Sequence, residues 1–202
     1  MRAQRLGEHA VLVECVDAAE VAATYAELRS RAAELGATDV VPAARTVLLD
    51  GVPAPAAVVA ALSALAAPPL APMTSQDRLV EIPTRYDGAD LEEVARQWEV
   101  SSEEVVRIHQ GAVFTVLFCG FAPGFAYCTG LPDGLAVARR PDPRPKVPAG
   151  SVALAGEYTS VYPAASPGGW QLVGTTDVEL WRPGADEPAL LSPGTRVRFV
   201  DG

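Results

Sequence analysis

The chain has 202 residues, 49% apolar and 20% charged, enough hydrophobic side chain for one large domain or two small ones, which excludes disorder as its main state. Against 16 Lys and Arg stand 25 Asp and Glu, a net charge of −9 and the wrong sign for holding a phosphate backbone, so no nucleic-acid partner is expected. Three cysteines, Cys15, Cys119 and Cys128, with no C-x-x-C pair, indicate neither a disulfide framework nor a zinc site and fit a reduced, cytoplasmic setting.

In chain order, the first apolar run stops at Glu14, too short for a signal peptide, and export is not expected. Val11 to Glu14 reads as a short strand. Asp17-Ala-Ala-Glu20 offers a capping box, and Val21, Tyr25, Leu28, Ala32 and Leu35 then share one helical face, which Gly36 can end in the left-handed conformation. Two short apolar runs flank Pro42, the second from Thr46 to Leu49. The uncharged stretch between Asp50 and Asp77 is broken by prolines, leaving Ala56 to Ala67 as unbroken helix. That helix would be about 18 Å long, short of the roughly 30 Å hydrocarbon core, so no membrane span is expected. It reads instead as a core helix with Val58, Leu62 and Leu65 inward, stopped by Pro68-Pro69. With Leu79 to Ile82 as a last strand, this region resembles a small sheet covered on one side by two helices.

Residues 90 to 110 predict two short helices with a capping box each, Asp90 with Glu93 and Ser101 with Glu104. Their apolar faces are Leu91, Val94, Ala95 and Trp98, then Val105, Val106 and Ile108, and Gly111 closes the pair. From Ala112 the pattern is β: Val113 to Phe118 is a continuous apolar run, and Ser192-Pro-Gly-Thr195 leads into the alternating Arg196 to Val200. Of the 18 prolines, 11 lie beyond residue 122, and 13 of the 17 glycines lie beyond residue 110. Short strands between Pro and Gly turns suggest a barrel. The fold class expected is α+β: a small α/β two-layer domain over residues 1–77 and a β-barrel domain over 78–202, with the boundary between Pro68 and Arg78.

Chemistry concentrates in the second part. If Gly120-Phe-Ala-Pro-Gly-Phe-Ala-Tyr127 is extended, Phe121, Pro123, Phe125 and Tyr127 share one face and nearly bare backbone forms the other. That face is either a core layer or the lining of a small-molecule pocket. Arg139, Arg140, Arg144 and Lys146 then place four cations within eight residues, stiffened by Pro141, Pro143, Pro145 and Pro148. They suit a carboxylate, a phosphate or an acidic partner, unless they pair with the protein's own carboxylates. No G-x-x-x-x-G-K-[ST] or G-x-S-x-G occurs, and the glycines most simply mark tight turns. Near a helix C-terminus, His109 reads as a cap favoured as a cation, with a Cys119 pairing as the alternative.

Four motifs in this order, G-F-x-P-G-F-x-Y, Arg-Arg-x-x-x-Arg, V-P-A-G-S-V and S-P-G-G-W followed by Leu-Val-Gly-Thr, resemble one family, that of the B subunit of bacterial 5-oxoprolinase and the sporulation-kinase inhibitor KipI. The family is similar to allophanate hydrolase subunit 1 and to half of the urea carboxylase carboxyltransferase module. The likeness covers nearly the whole chain, including Asp87-Gly-Ala-Asp-Leu91. It implies a cyclophilin-like barrel after the small domain, C and A subunits as partners, and ATP-dependent opening of 5-oxoproline to glutamate by the complex, with this chain inactive alone. ATP with its magnesium would be shared with the partner, and no biotin sits on this chain, whose methionines are Met1 and Met73. Carried over, the motif positions are Phe121, Pro123, Gly124, Phe125 and Tyr127; Arg139, Arg140 and Arg144; Pro148, Gly150 and Ser151; and Ser166, Gly168, Gly169 and Trp170. These, with Lys146 and His109, are the candidates for a groove shared with the C subunit, in which an arginine would hold the substrate carboxylate or a phosphate. No catalytic residue and no metal ligand is assigned.

The sequence departs from the family at Cys128-Thr129, at Ser160 and at Thr175, which stands where arginine is common. The main alternative is a KipI-like inhibitor pressing on a histidine kinase; a carboxyltransferase-type subunit of urea or allophanate metabolism is second. A prolyl isomerase rests on fold analogy alone. The helix pair at 90 to 109 also suggests a wall-binding LysM motif or a helix-turn-helix, disfavoured by the missing signal peptide and by the acidic charge.

Overall fold

The computed structural model describes residues 2–64 and 78–202, and the chain divides into two units, Met1–Ser75 and Gln76–Gly202. Leu65, the Pro68-Pro69 stop and most of the expected boundary lie outside the described residues.

In the first unit, β1 (Arg2–Leu6) and β2 (Ala10–Glu14) form a hairpin. Helix α1 (Ala18–Ser30) follows, then a single turn α2 (Ala32–Leu35), β3 (Asp39–Pro42), β4 (Thr46–Asp50) and α3 (Pro55–Ala64). The strands pair antiparallel in the order β1-β2-β4-β3. Val11, Val13, Val40, Val47 and Leu49 alternate onto one buried face, against which Val21, Tyr25, Leu28, Val58 and Leu62 are also buried. Each fully buried aliphatic or aromatic side chain contributes about 1.5–3 kcal/mol. Asp17 caps α1 by accepting from the Glu20 N–H at 2.8 Å, while the Glu20 carboxylate reaches back to the Val16 N–H rather than to the cap residue itself. The single helix expected through Leu35 is broken at Arg31, whose N–H is shared between the Glu27 and Leu28 carbonyls. Gly36, at φ 69°, ends the second piece.

The second unit contains β5 (Leu79–Thr84), α4 (Leu91–Trp98), α5 (Ser102–Gly111), β6 (Phe114–Cys119), β7 (Ala126–Thr129), β8 (Arg144–Val147), β9 (Ser151–Ala155), β10 (Tyr158–Val161), β11 (Ser166–Gly168), β12 (Gln171–Thr175) and β13 (Arg196–Asp201). Seven strands run in the order β12-β9-β10-β7-β6-β13-β5, and β8 pairs with β11 in a separate ribbon. Leu79 to Ile82 was expected in the first sheet; it pairs in parallel with β13 instead, Val80 beside Val197 and Ile82 beside Phe199. The two outer strands meet where Arg85 and Thr175 exchange backbone hydrogen bonds of 2.9 and 2.7 Å, closing the sheet into a barrel.

Alternation gives the wall two packed faces. Val116, Ala126, Cys128, Val152, Leu154, Val173, Val197 and Phe199 form one core with Val94, Trp98 and Val105 of the helices. Ala153, Ala155 and Leu172 face the other way, under Phe125, Val147, Tyr162 and Trp170. Ser101 caps α5 as expected, accepting from the Glu104 N–H at 3.2 Å. Gly111 is the last residue of α5 and closes the pair as expected; Glu99, at φ 56°, is the left-handed residue that ends α4.

Candidate functional site

The segment from Gly120 to Phe125 is a turn, which corrects the extended reading there, while Ala126 and Tyr127 are extended in β7. Ala122 donates to the Gly120 carbonyl at 2.8 Å across Phe121, forming a tight turn around a residue at φ 69°, and Gly120 and Phe125 close the hairpin at 3.1 Å. Three aromatic residues of the motif still meet. Phe121 stands 63% exposed at the tip, edge-on to the fully buried Phe125, which touches the half-buried Tyr127. Phe125 also meets Tyr162 and Trp170 edge-on, and Tyr127 stacks on Phe118 at 4.2 Å. Pro123 is exposed beside them, and Gly124 is buried at φ 81°.

One motif glycine, Gly168, lies against this cluster, and the next, Gly169, lies against the arginine segment. A Cβ on Gly168 would come within 2.2 Å of the Tyr162 hydroxyl, so β11 approaches that ring only because residue 168 has no side chain. The Gly169 carbonyl accepts from the Arg140 N–H at 2.8 Å. Ser166 begins β11, and Ser151 donates its hydroxyl to the Pro148 carbonyl in the turn before β9.

The arginine segment is anchored along its length. Ala138 is held from both sides, its N–H by the Gln97 side chain at 2.7 Å and its carbonyl by Gln171 at 3.0 Å. Arg139 is exposed and lies over the Trp170 ring at 5.8 Å, while Lys146 is exposed on β8. Arg140 and Arg144 converge on Asp90: Arg140 Nη1 at 3.0 Å and Arg144 Nη2 at 2.8 Å donate to the same carboxylate oxygen, and the Leu172 N–H donates to the other at 2.7 Å.

Asp90 is therefore not the helix cap expected. It makes no cap hydrogen bond, and the Glu93 side chain turns to Arg96 and Gln97. Only 4% of Asp90 is exposed, and burial alone would raise its pKa. Hydrogen bonds from Arg144 and Leu172, with the charges of Arg144 and Arg140, outweigh that and hold the carboxyl below the usual aspartate range. Two guanidiniums on one carboxylate leave one positive charge, and Arg140 Nε and Arg144 Nη1 are buried with no hydrogen-bond partner. Asp90, Gln97 and Gln171 are the site residues that motif reading passed over. A carboxylate just ahead of a helix carries the same sequence signature whether it caps that helix or grips a distant arginine.

His109 lies elsewhere, in the barrel core, with its ring against Phe114 and Phe199. Tyr86 lies 2.8 Å from Nδ1 and Thr159 lies 2.9 Å from Nε2; burial lowers its pKa to about 3, so it is neutral and is not the cationic cap expected. Nor does it reach Cys119, whose thiol contacts the Leu191 carbonyl and is pushed by burial up to about 11, which keeps it protonated. Burial raises Cys128 further still. Thr175 donates its hydroxyl to Asp87 at 2.9 Å. Tyr127 and Tyr158 are also raised by burial, Tyr158 to about 12. Among the described residues no three His, Cys, Asp or Glu side chains group to hold a metal. The arrangement suits non-covalent binding: an exposed Phe121 and a half-buried Tyr127 over a buried aromatic cluster, with two braced arginines and two exposed cations on the neighbouring segment.

Comparison with known proteins agrees with the family resemblance. Over 128 residues the chain is 49% identical to the B subunit of 5-oxoprolinase from Escherichia coli O157:H7, covering 62% of this chain and 59% of that protein. Over 126 residues it is 48% identical to the B subunit of 5-oxoprolinase from Bacillus subtilis (strain 168), covering 61% and 52%. The chain thus spans a little over half the length of these curated relatives. The crystal structure of TTHA0988 superposes with a TM-score of 0.75 at 34% identity, covering 96% of this chain and 40% of that one. Residues 1–191 match the family of the carboxyltransferase domain, subdomain C and D, and the chain belongs to that family.

Proposed function

We propose that this chain is the B subunit of a bacterial ATP-dependent 5-oxoprolinase and acts with the C and A subunits to open 5-oxoproline to glutamate. The observation that carries this reading is the 49% identity, over 128 residues, to a protein of that name. The ring amide is unstrained and stable, so phosphoryl transfer to its carbonyl oxygen is a sound chemical reason for ATP. The exposed Phe121, Arg139 and Lys146 beside the half-buried Tyr127 support a groove that meets an anionic partner or substrate. ATP and its magnesium are, in this reading, shared with one of the partners. No helix among the described residues is long and apolar enough to cross a membrane. The isolated chain is expected to be inactive.

The test mixes the purified A, B and C subunits with ATP and 5-oxoproline and omits each in turn. Glutamate release is expected only from the full set, and release without this chain overturns the reading. Inhibition of a histidine kinase by this chain alone would instead establish the KipI-like function. Carboxylation of urea by a biotin-loaded partner would establish the carboxyltransferase one.

A further inference from the structure

Closing the barrel beside Leu172 needs one hydrogen-bond acceptor, and neutralising a buried carboxylate needs one cation. Asp90 has more than that: its backbone N–H and one carboxylate oxygen both bind Leu172, while the other oxygen takes two guanidiniums from residues 50 and 54 positions away. The carboxylate is thereby oriented by the sheet, and the Arg140 main chain is fixed separately by Gly169. Arginine side chains lose much rotamer freedom when they grip a ligand, and a fork already held in place avoids that loss at binding. About a third of the Arg140 side chain and a fifth of that of Arg144 remain exposed, and the trio keeps one positive charge.

We propose that Asp90 is a positioning residue, locking Arg140 and Arg144 into one fork that takes a singly charged carboxylate of the kind 5-oxoproline carries. This rests on the anion-binding groove proposed above. The single residual charge matches a carboxylate monoanion better than a phosphate dianion. The partnerless Arg140 Nε and Arg144 Nη1 show that the two forks are not saturated by groups of the protein.

The test uses the purified chain, ¹⁵N-labelled, titrated at constant ionic strength with 5-oxoproline, with acetate and with inorganic phosphate, following the arginine Nε–Hε signals. Saturable shifts of Arg140 and Arg144 with 5-oxoproline and acetate are expected. Asp90→Asn is expected to weaken that binding by about tenfold or more, the scale of a misplaced binding group. In the active complex the same variant should raise KM for 5-oxoproline with little change in kcat, a split that loss of fold would not produce. Asp90→Glu, which keeps the charge but displaces the fork, carries the test if Asp90→Asn does not fold. Unchanged carboxylate binding in Arg144→Ala and Arg140→Ala overturns the anion site itself. Loss of binding in those variants, together with wild-type binding in folded Asp90→Asn or Asp90→Glu, overturns the role of Asp90 alone. Saturation by phosphate but not by carboxylates overturns the ligand assignment.

Discussion

At the residue scale, His109 shows how burial fixes a protonation state. The Thr159 hydroxyl lies 2.9 Å from Nε2 and 3.3 Å from the Ala153 carbonyl, so the ring nitrogen has a partner without needing a charge. The Tyr86 hydroxyl pairs with Nδ1 at 2.8 Å, and its own pKa is pushed up by burial. In the unfolded chain the same imidazole titrates near 6.5, whereas in the fold it titrates at about 3. Between those values the unfolded state binds the extra proton. Stability is therefore complete above about pH 6.5 and falls by about 1.4 kcal/mol per pH unit as the solution is acidified toward pH 3. Urea unfolding of wild type and His109→Gln across that range should show the slope in the first and a shallower one in the second; equal slopes would refute the assignment. Asp90 acts over a lower window: with its folded pKa depressed, its contribution is present above about pH 3.9 and is lost as pH falls through the lowered value.

At the element scale, the β6–β7 turn holds a bulky residue where L side chains are strained. Phe121 at φ 69° keeps its place through an edge contact with Phe125 and the Ala122-to-Gly120 hydrogen bond. Shortening it to alanine removes the ring and retains the strain, whereas glycine removes both. Phe121→Gly is therefore expected to be more stable than Phe121→Ala by about 1 kcal/mol in thermal or urea unfolding, the reverse of the usual order of these residues. Elements set by local chemistry were legible in the sequence: the Asp17 and Ser101 caps, Gly36 as a stop and the alternation of β13 all appear where their residues place them. Strand β1, Arg-Ala-Gln-Arg-Leu, escaped because an outer strand with mostly exposed side chains has no apolar alternation to detect. The break at Arg31 and the bend at Phe121 escaped because neither carries a proline or glycine at the critical position. The motif residues of the aromatic cluster were legible as a set, but the brace beneath the arginines depends on a contact between residues 50 or more positions apart, which no local pattern encodes.

At the scale of the whole molecule, residues 78–202 hold all seven strands of the barrel and both of its cores. A fragment of those residues is expected to unfold in one cooperative transition by near-ultraviolet circular dichroism; a broad, featureless melt would show that it needs the first unit. Strand order adds a consequence in time. β5, first of the seven to leave the ribosome, has its ladder partner in β13, the last of them, which lies between β5 and β6. For the interval in which more than a hundred intervening residues are made, β5 is a strand without its neighbour, and its Ile82 has no Phe199 to pack beside. Closure of the barrel is thus a late event of long sequence separation, slow by its topology. A chain stopped by a premature codon at residue 195 would lose a central stave of the barrel rather than a tail.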